Sequence, residues 1–158
     1  MKTSTTARRQ PRKKDESREI VIAVFWEFSS NRAVLKDSER LLQIKEGTSP
    51  DIYHALRVTF DLHRLDLETL LNTSISTLER RRRERKPLGP VASERIDRIA
   101  AVCHLAQEVL ESREAVVRWM SMSNKALGGI TPIMHCETEI GAKQVRRVLQ
   151  ALEYGGAV

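Results

Sequence analysis

The chain has 158 residues, of which 41% are hydrophobic and only 4% aromatic, and its formal net charge is +6 at neutral pH. This length and composition allow one hydrophobic core of ordinary size and exclude a chain that is disordered throughout. The longest apolar run, residues 20–28, is shorter than the ~18 residues needed to span a bilayer and is interrupted by Glu27. A soluble protein is therefore expected.

The positive charge is concentrated in two short segments. Residues 1–18 contain seven basic and two acidic side chains, and residues 76–86 contain six basic and two acidic ones, so the rest of the chain is net acidic. A focused positive surface attracts polyanions more strongly than the same charge spread over the molecule. The two segments are therefore candidate surfaces for binding phosphate groups.

The first 48 residues give two different signals. Residues 1–19 are rich in Thr, Arg and Lys and almost free of apolar side chains, which predicts a disordered basic arm. Residues 20–28, IVIAVFWEF, fit either a short strand or a buried helical turn, and periodicity does not decide between them. Residues 20–48 are therefore treated as a segment of uncertain structure.

Clear helix signals begin near residue 38. The stretch SERLLQIKEG has Leu41 and Leu42 on its apolar side and Gly47 as its stop. The next stretch, SPDIYHALRVTFDLH, begins with Ser49 as N-cap and Pro50 at the first helical position. These patterns predict two successive helices.

A short helix and an arginine-rich one follow. The stretch DLETLLNTS predicts a short helix capped by Asp66, and STLERRRRERKPLGP comes after a turn of only a few residues. Ser74 or Ser76 fits the N-cap of the second helix, in which only Ile75 and Leu78 are placed to pack inward. Helix, tight turn and helix is the spacing of a helix-turn-helix, which places its second helix in the major groove of DNA.

The outward side of this second helix supplies the candidate DNA-binding residues. The candidates for reading base edges lie opposite the inward side: Ser76, Arg80 and Arg83. Arginine suits this role because it can form two hydrogen bonds with guanine. The candidates for neutralising phosphates flank them: Arg81, Arg85 and Lys86.

A solvated charged helix is the alternative to a DNA-binding one, but like charges repel along a helix unless an anion compensates them. An arginine-rich RNA-binding segment is a further alternative, although such segments usually lack a leucine-bearing partner helix.

The rest of the chain is helical in pattern. After the breaker at residues 87–90, PVASERIDRIAAVCHLAQEVLE predicts a long amphipathic helix and REAVVRWMSM a shorter one. The glycines and proline of NKALGGITPI interrupt the pattern, and ETEIGAKQVRRVLQALEYG resumes it, with Thr138 as the cap and Gly141 allowing close approach. An all-α fold is expected.

Catalytic and metal-binding patterns are not found in the sequence. The neighbours Cys103-His104 and His135-Cys136 offer zinc-ligand types, but adjacent residues on a helix point about 100° apart and lack the usual spacing of ligands. No glycine-rich phosphate loop and no G-x-S-x-G motif occurs. We expect no enzymatic activity, cofactor or metal.

The two distant cysteines and the lack of an apolar signal segment predict a cytoplasmic protein with reduced thiols.

Several stretches, taken in order, resemble the Xre/MbcA/ParS family of antitoxins. They are LDLETLLNTSISTLERRRRERKPLGPVASERIDRIAAVCHLAQEVLESREAVVRWM, NKALGGITPI, TEIGAKQV and LEYG. The combination of ALGG-x-TP, T-x-x-G-A and EYG is the most specific part. The resemblance implies an Xre-like helix-turn-helix bundle at residues 49–112, followed by a small helical toxin-binding domain at residues 113–158.

The resemblance also implies a function and partners. It indicates a type II antitoxin that binds the operator of its own operon and blocks a cognate RES-type toxin, which consumes NAD. The toxin-binding residues would lie at the glycine turn and at the C-terminus: Leu127, Gly128, Gly129, Ile130, Glu153, Tyr154 and Gly155. Since one short reading helix contacts few bases, we expect a homodimer on an inverted-repeat operator. A stand-alone helix-turn-helix transcriptional regulator is the alternative.

Overall fold

The computed structural model describes residues 13–155, and its regular structure there is entirely helical. The helices are α1 (Lys13–Ala33), α2 (Asp37–Glu46), α3 (Pro50–Phe60), α4 (Arg64–Leu71), α5 (Ile75–Glu84), α6 (Pro90–Leu110), α7 (Arg113–Ser121), α8 (Pro132–His135) and α9 (Glu139–Glu153). A short 3-10 turn, Lys125–Leu127, lies between α7 and α8. The all-α prediction is confirmed for these residues. Residues 1–12 of the expected arm, and residues 156–158, lie outside the described part.

Helix α1 corrects the prediction for the N-terminal segment. It begins at Lys13, so residues 13–19 are helical and the prediction of a disordered arm is wrong for them. Asp15 and Glu16 lie in the first turn, where negative charge favours a helix N-terminus. Further along, Phe25 and Trp26 are fully buried in the core. The open choice between strand and helix at residues 20–28 is therefore settled as helix.

Helix α2 lies on the surface. Leu41 and Leu42, its predicted apolar side, are 60% and 56% exposed, and none of the residues of α2 is buried. The predicted stop at Gly47 is confirmed, with φ at +94°. A Cβ at Gly47 would lie 2.3 Å from the carbonyl oxygen of Leu88, so the close approach of these two segments requires glycine.

A buried carboxylate fastens α1 and α2 to α6. Asp97 of α6 accepts a hydrogen bond from Nε of Arg32 at 2.8 Å and another from Nη2 of Arg40 at 2.6 Å. The hydroxyl of Ser29 also donates to the carbonyl oxygen of Ala100 at 2.9 Å. Asp97 raises the pKa of Arg40 by hydrogen bonding, against the opposing effect of burial. Charge-assisted bonds of this kind order both N-terminal helices on α6.

Helix α6 is the centre of the fold. It packs against α1, α2, α4, α7 and α9. Five residues of the apolar side expected for this amphipathic helix are buried: Ile96, Ile99, Ala100, Cys103 and Ala106. One continuous hydrophobic cluster runs from Phe25 of α1 to Leu149 of α9 and includes all five except Ala100. The N-terminal, middle and C-terminal helices therefore share one core.

The predicted helix starts agree with the structure in three places and differ in one. Ser49, Ser74 and Thr138 each accept a hydrogen bond from a backbone N–H of the first turn. The predicted cap at Asp66 is wrong, because α4 begins earlier, at Arg64, after His63. Asp66 lies instead within the first turn, where a carboxylate still favours the helix N-terminus.

Within residues 13–155, no helix is both long enough and apolar enough to cross a membrane.

Candidate nucleic-acid interface and C-terminal partner surface

Helices α4 and α5 are joined by a turn of three residues, 72–74. Asn72 ends α4 in the left-handed conformation, with φ at +48°. Ser74, and not Ser76, caps α5, because its Oγ accepts the backbone N–H of Thr77 at 3.2 Å. The carboxylate of Glu68 on α4 accepts the N–H of Ile75 at 2.9 Å, which fixes the start of α5 against α4.

Helix α5 has a narrow inward side. Ile75 and Leu78 are its only buried residues, as the sequence predicts. The three candidates for reading bases, Ser76, Arg80 and Arg83, are all exposed. Since 100° separates successive residues of a helix, these three project on the side away from Leu78. The structure thus brings the three candidates together on one open surface.

The three candidate phosphate-binding residues differ in their surroundings. Arg81 is half-buried and donates to the carbonyl oxygen of Pro87 at 3.1 Å, so it also holds the loop between α5 and α6. Arg85 is exposed and ends α5 in the left-handed conformation, with φ at +55°. Lys86 is exposed, with Nζ 3.5 Å from a carboxylate oxygen of Glu84. Arg85 and Lys86 are therefore the more open cations.

Sequence reasoning missed a cleft between α3 and α5. It has a volume of about 550 Å³ and is lined by Tyr53, His54, Arg57, Glu79, Arg82, Arg83 and Arg85. Arg82, which the sequence analysis did not single out, bridges the two helices with Nε 3.3 Å from Oδ1 of Asp51. Burial lowers the pKa of His54, and the charges of Arg82 and Arg57 lower it further. In the sequence, the one signal for this cleft is the spacing of His54 and Arg57, which are three residues apart on α3 and therefore share a side of that helix.

The glycine turn after α7 is closely hydrogen-bonded. Asn124 donates its N–H to Ile130 at 3.2 Å and accepts that of Gly129 at 2.9 Å. Gly128 and Gly129 have φ values of +70° and +84°, which favour glycine. Ile130 is exposed, but Leu127 is only 4% exposed and packs in the core, so its predicted contact with a toxin would need a rearrangement of this turn.

The corner between α8 and α9 also depends on glycine. A Cβ at Gly141 would lie 1.8 Å from the carbonyl oxygen of His135, which no other residue allows without a backbone shift. Arg98 of α6 donates to the carbonyl oxygens of Cys136 and Glu137 at 3.2 and 2.9 Å. The C-terminal helices are therefore held on α6 by a polar joint as well as by the core.

The end of α9 leaves the core. Val145 and Leu149 are buried, whereas Leu152 on the same side of the helix is 42% exposed. Glu153 is exposed, and Tyr154, which follows the last turn, is 85% exposed. Gly155 then takes a φ of +71°. An apolar and aromatic end thus extends beyond the residues that support it.

The two Cys-His pairs point into different surroundings. Cys103 and Cys136 are buried, and burial raises the pKa of the Cys136 thiol to about 12. His104 instead lies 3.4 Å from a carboxylate oxygen of Glu108, and His135 lies 2.5 Å from the amide oxygen of Gln144. Over residues 13–155, no group of three or more His, Cys, Asp or Glu side chains is arranged to hold a metal ion.

These features define a protein of the helix-turn-helix class. A short helix, α4, is followed by a three-residue turn and by α5, which has two buried anchors and an exposed side rich in arginine. Two family models match successive parts of it. The antitoxin Xre-like helix-turn-helix domain matches residues 53–101, and the antitoxin Xre/MbcA/ParS C-terminal toxin-binding domain matches residues 105–155.

A curated relative is similar over most of the chain. It is antitoxin Xre of Yersinia enterocolitica serotype O:8 / biotype 1B (strain NCTC 13174 / 8081), with 30% identity over 128 residues, which are 80% of this chain and 83% of the relative. The chain belongs to the Xre/MbcA/ParS family of antitoxins, the family that its motifs resemble. It is therefore an antitoxin of a toxin-antitoxin system, with a helix-turn-helix domain and a C-terminal toxin-binding domain.

The two matched regions meet within α6. One match ends at residue 101 and the other begins at residue 105, while α6 runs from Pro90 to Leu110. Both halves thus use the same central helix and the same hydrophobic cluster. The predicted division at residue 112 stays a prediction.

Proposed function

We propose that this antitoxin represses its own operon by binding DNA through α5 and blocks a RES-type, NAD-consuming toxin through its C-terminal end. It is then a type II antitoxin of the bacterial cytoplasm, where the operon and the toxin both lie. We assign it two binding functions and no catalytic step. The RES type of the toxin rests on the motif resemblance at residues 124–133 and 138–145.

The exposed arginine side of α5 supports the DNA-binding half of the proposal. Arg80 and Arg83 are held by a helix that is capped at Ser74 and anchored at Leu78. A rigid helix can place guanidinium groups in the major groove without a large loss of conformational entropy on binding. Arg85 and Lys86 at its end are open to phosphates on the groove edge.

The exposed end of α9 is the main observation that supports the toxin-binding half of the proposal. Leu152 continues the line of Val145 and Leu149 but has no core beneath it, and Tyr154 projects beyond it. Exposed apolar side chains grouped at one end of a molecule often mark a protein interface. Tyrosine is moreover enriched among residues that contribute most to binding. Such an end suits insertion into an enzyme cleft.

Co-expression with the neighbouring toxin gene tests the two halves separately. Growth and cellular NAD should fall when the toxin is expressed alone and recover when this chain is added. A reporter driven by the operon promoter should be repressed by this chain. If growth does not depend on the chain while the reporter does, the proposed block of a RES-type toxin fails and repression alone stands.

We further propose that the antitoxin binds its operator as a homodimer, with α2 as the surface of association. Asp37, Leu41 and Lys45 are four residues apart and lie along one side of α2, and all three are exposed. Two copies of α2, placed antiparallel about Leu41, bring Asp37 of each chain against Lys45 of the other. A surface that is complementary to itself in this way is what a two-fold dimer requires.

The size of this surface limits the strength of the dimer. Helix α2 has only 10 residues, and stable interfaces usually bury more than ~1,000 Å². Val34, which is exposed at the turn before α2, enlarges the apolar area only slightly. We therefore expect a weak dimer in solution that is stabilised when two copies occupy an inverted-repeat operator.

A further inference from the structure

The cleft between α3 and α5 is continuous with the predicted reading surface. Arg83 belongs to both, since it lies on the exposed side of α5 and also lines the cleft. The opposite wall comes from α3, with Tyr53, His54 and Arg57. A second hollow of about 410 Å³, next to the start of α3, shares Arg82 and Arg85 with it. A polyanion lying along α5 would therefore pass the opening of the cleft.

The charges in the cleft are unevenly compensated. Four arginines line it, at positions 57, 82, 83 and 85, with Glu79 as the one acidic lining residue. Arg82 is paired with Asp51. Among the described residues, no ion pair involves Arg57, Arg83 or Arg85. Like charges that line one cleft repel one another, and a bound anion offsets that repulsion.

His54 stands within this group of charges. The charges of Arg82, Arg57 and Asp51 act on its ring. The other titratable or charged groups that line the cleft are Tyr53 from α3, and Glu79, Arg83 and Arg85 from α5 and its end. Its ring nitrogens can donate to a phosphate oxygen when protonated. Histidine is the side chain whose charge changes near neutral pH. The affinity of this cleft for an anion should therefore change on modest acidification.

We propose that this cleft binds one backbone phosphate of the operator duplex, with Arg57 and Arg85 as charged ligands and His54 as a ligand whose protonation is coupled to DNA binding. The proposal rests on the DNA-binding function proposed above. It adds a phosphate site outside α5 and a dependence of affinity on pH. Arg82 positions the site, because its bond to Asp51 holds α5 against α3.

The direction of the pH effect follows from the surroundings of His54. Burial and the nearby arginines lower the pKa of His54 in the free protein. A phosphate beside the ring favours its charged form and raises that pKa, so DNA binding takes up a proton. Affinity should therefore increase as the pH falls from about 7.5 to about 5.5, by at most about tenfold per pH unit for a single proton.

The test combines affinity with a direct measurement on His54. The probes are a duplex from upstream of the gene, a scrambled duplex of equal length, and inorganic phosphate, each added to the full chain. Arg57→Ala should weaken binding to both duplexes by the same factor and lower the slope of log affinity against log salt by about one. His54→Gln should remove the acid-induced increase in affinity. Arg147→Ala, an exposed arginine on α9, is the matched control and should change neither.

NMR titration of the His54 ring distinguishes the outcomes. The pKa of His54 should rise on adding either duplex, while the His104 ring serves as an internal reference. If duplex binds but the His54 pKa and the Arg57→Ala salt slope are unchanged, the cleft proposal is wrong and the DNA-binding function stands. If inorganic phosphate shifts the pKa but duplex does not, the site takes a free anion instead. If no duplex binds at low salt, the proposed function itself fails, and this inference with it.

Discussion

Nε of Arg32 donates a 2.8 Å hydrogen bond to Oδ1 of Asp97, and both side chains are almost fully buried. Arg40 binds the second oxygen of the same carboxylate at 2.6 Å. Two helices that precede the helix-turn-helix thus depend on one acidic residue of α6. A buried charge that loses its partner is costly, which makes Asp97 a sensitive test of the fold.

We predict that Asp97→Asn destabilises the protein by roughly 3–5 kcal/mol, because it leaves Arg32 buried without a counter-charge. Urea unfolding followed by circular dichroism measures this. Asp37→Asn is the control, since Asp37 also contacts Arg40, at 3.2 Å, but is almost fully exposed. Equal effects of the two substitutions would show that burial of Asp97 is not what matters.

Sequence patterns predicted local features of the fold well. The caps at Ser49 and Thr138 and the anchors Ile75 and Leu78 depend on neighbours within a few residues, and the structure has all four. The order of α3 to α7, and α9, follows from the same kind of short-range signal. The four-residue helix α8 (Pro132–His135) begins within the predicted interruption and was not predicted.

Features that depend on distant residues could not be predicted. Periodicity shows which residues share a side of a helix, but the side that meets the core is decided by tertiary contacts. Leu41 therefore looked like a core residue, although α2 is held by the pairing of Arg40 with Asp97, 57 residues away. The cleft was not predicted for the same reason, since Arg57 and Arg85 line one cleft only after α3 packs on α5.

A second prediction concerns the surface of α2. Asp37→Lys should weaken self-association, because the new lysine would lie against Lys45 of the second copy and the two positive charges repel. Lys45→Asp should weaken it in the same way, because the new aspartate would lie against Asp37 of the second copy. The double variant should restore association because it reverses the same pair. Analytical ultracentrifugation over a range of concentrations measures this, with and without duplex. Leu65→Glu is a control at an exposed leucine of α4. Unchanged association in both single variants would place the interface elsewhere, and a double variant that still associates weakly would rule out the pairing of Asp37 with Lys45.

A third prediction separates base reading from phosphate binding on α5. Arg80→Ala and Arg83→Ala should each reduce the preference for operator over scrambled duplex by about 1–3 kcal/mol, because each removes a pair of hydrogen bonds to a base. Lys86→Ala should weaken binding to both duplexes alike and lower the salt slope by about one. Fluorescence anisotropy at several salt concentrations gives both quantities. Uniform weakening with Arg80→Ala would mean that Arg80 binds a phosphate.

A fourth prediction concerns the corner between α8 and α9. Gly141→Ala places a Cβ 1.8 Å from the carbonyl oxygen of His135, so the backbone must shift. Overpacking of this kind typically costs about 1–3 kcal/mol. Lys143→Ala, an exposed change on the same helix, should alter the stability little. Thermal unfolding of the two variants decides the matter, and a neutral Gly141→Ala would mean that this corner is not tightly packed.

The last prediction concerns the end of α9. Removing Glu153 to Val158 should leave folding and DNA binding intact, because Glu153, Tyr154 and Gly155 lie outside the core. It should release the toxin, because it removes the exposed aromatic group that we propose enters the toxin cleft. Tyr154→Ala should give a partial release, since truncation of a tyrosine that is central to an interface often costs ~2 kcal/mol or more.

The measurement is growth and cellular NAD during co-expression with the toxin, with promoter repression followed in the same cells as a readout of folding. Ile140→Ala is the matched control, because Ile140 is also a largely exposed apolar residue, near the other end of α9. If the truncated chain still neutralises the toxin fully while Ile140→Ala does not, the inhibitory contact lies at the start of α9. If neither change matters, the exposed Ile130 of the glycine turn becomes the first residue to test, since it is the remaining open member of the predicted toxin-binding set with an apolar side chain.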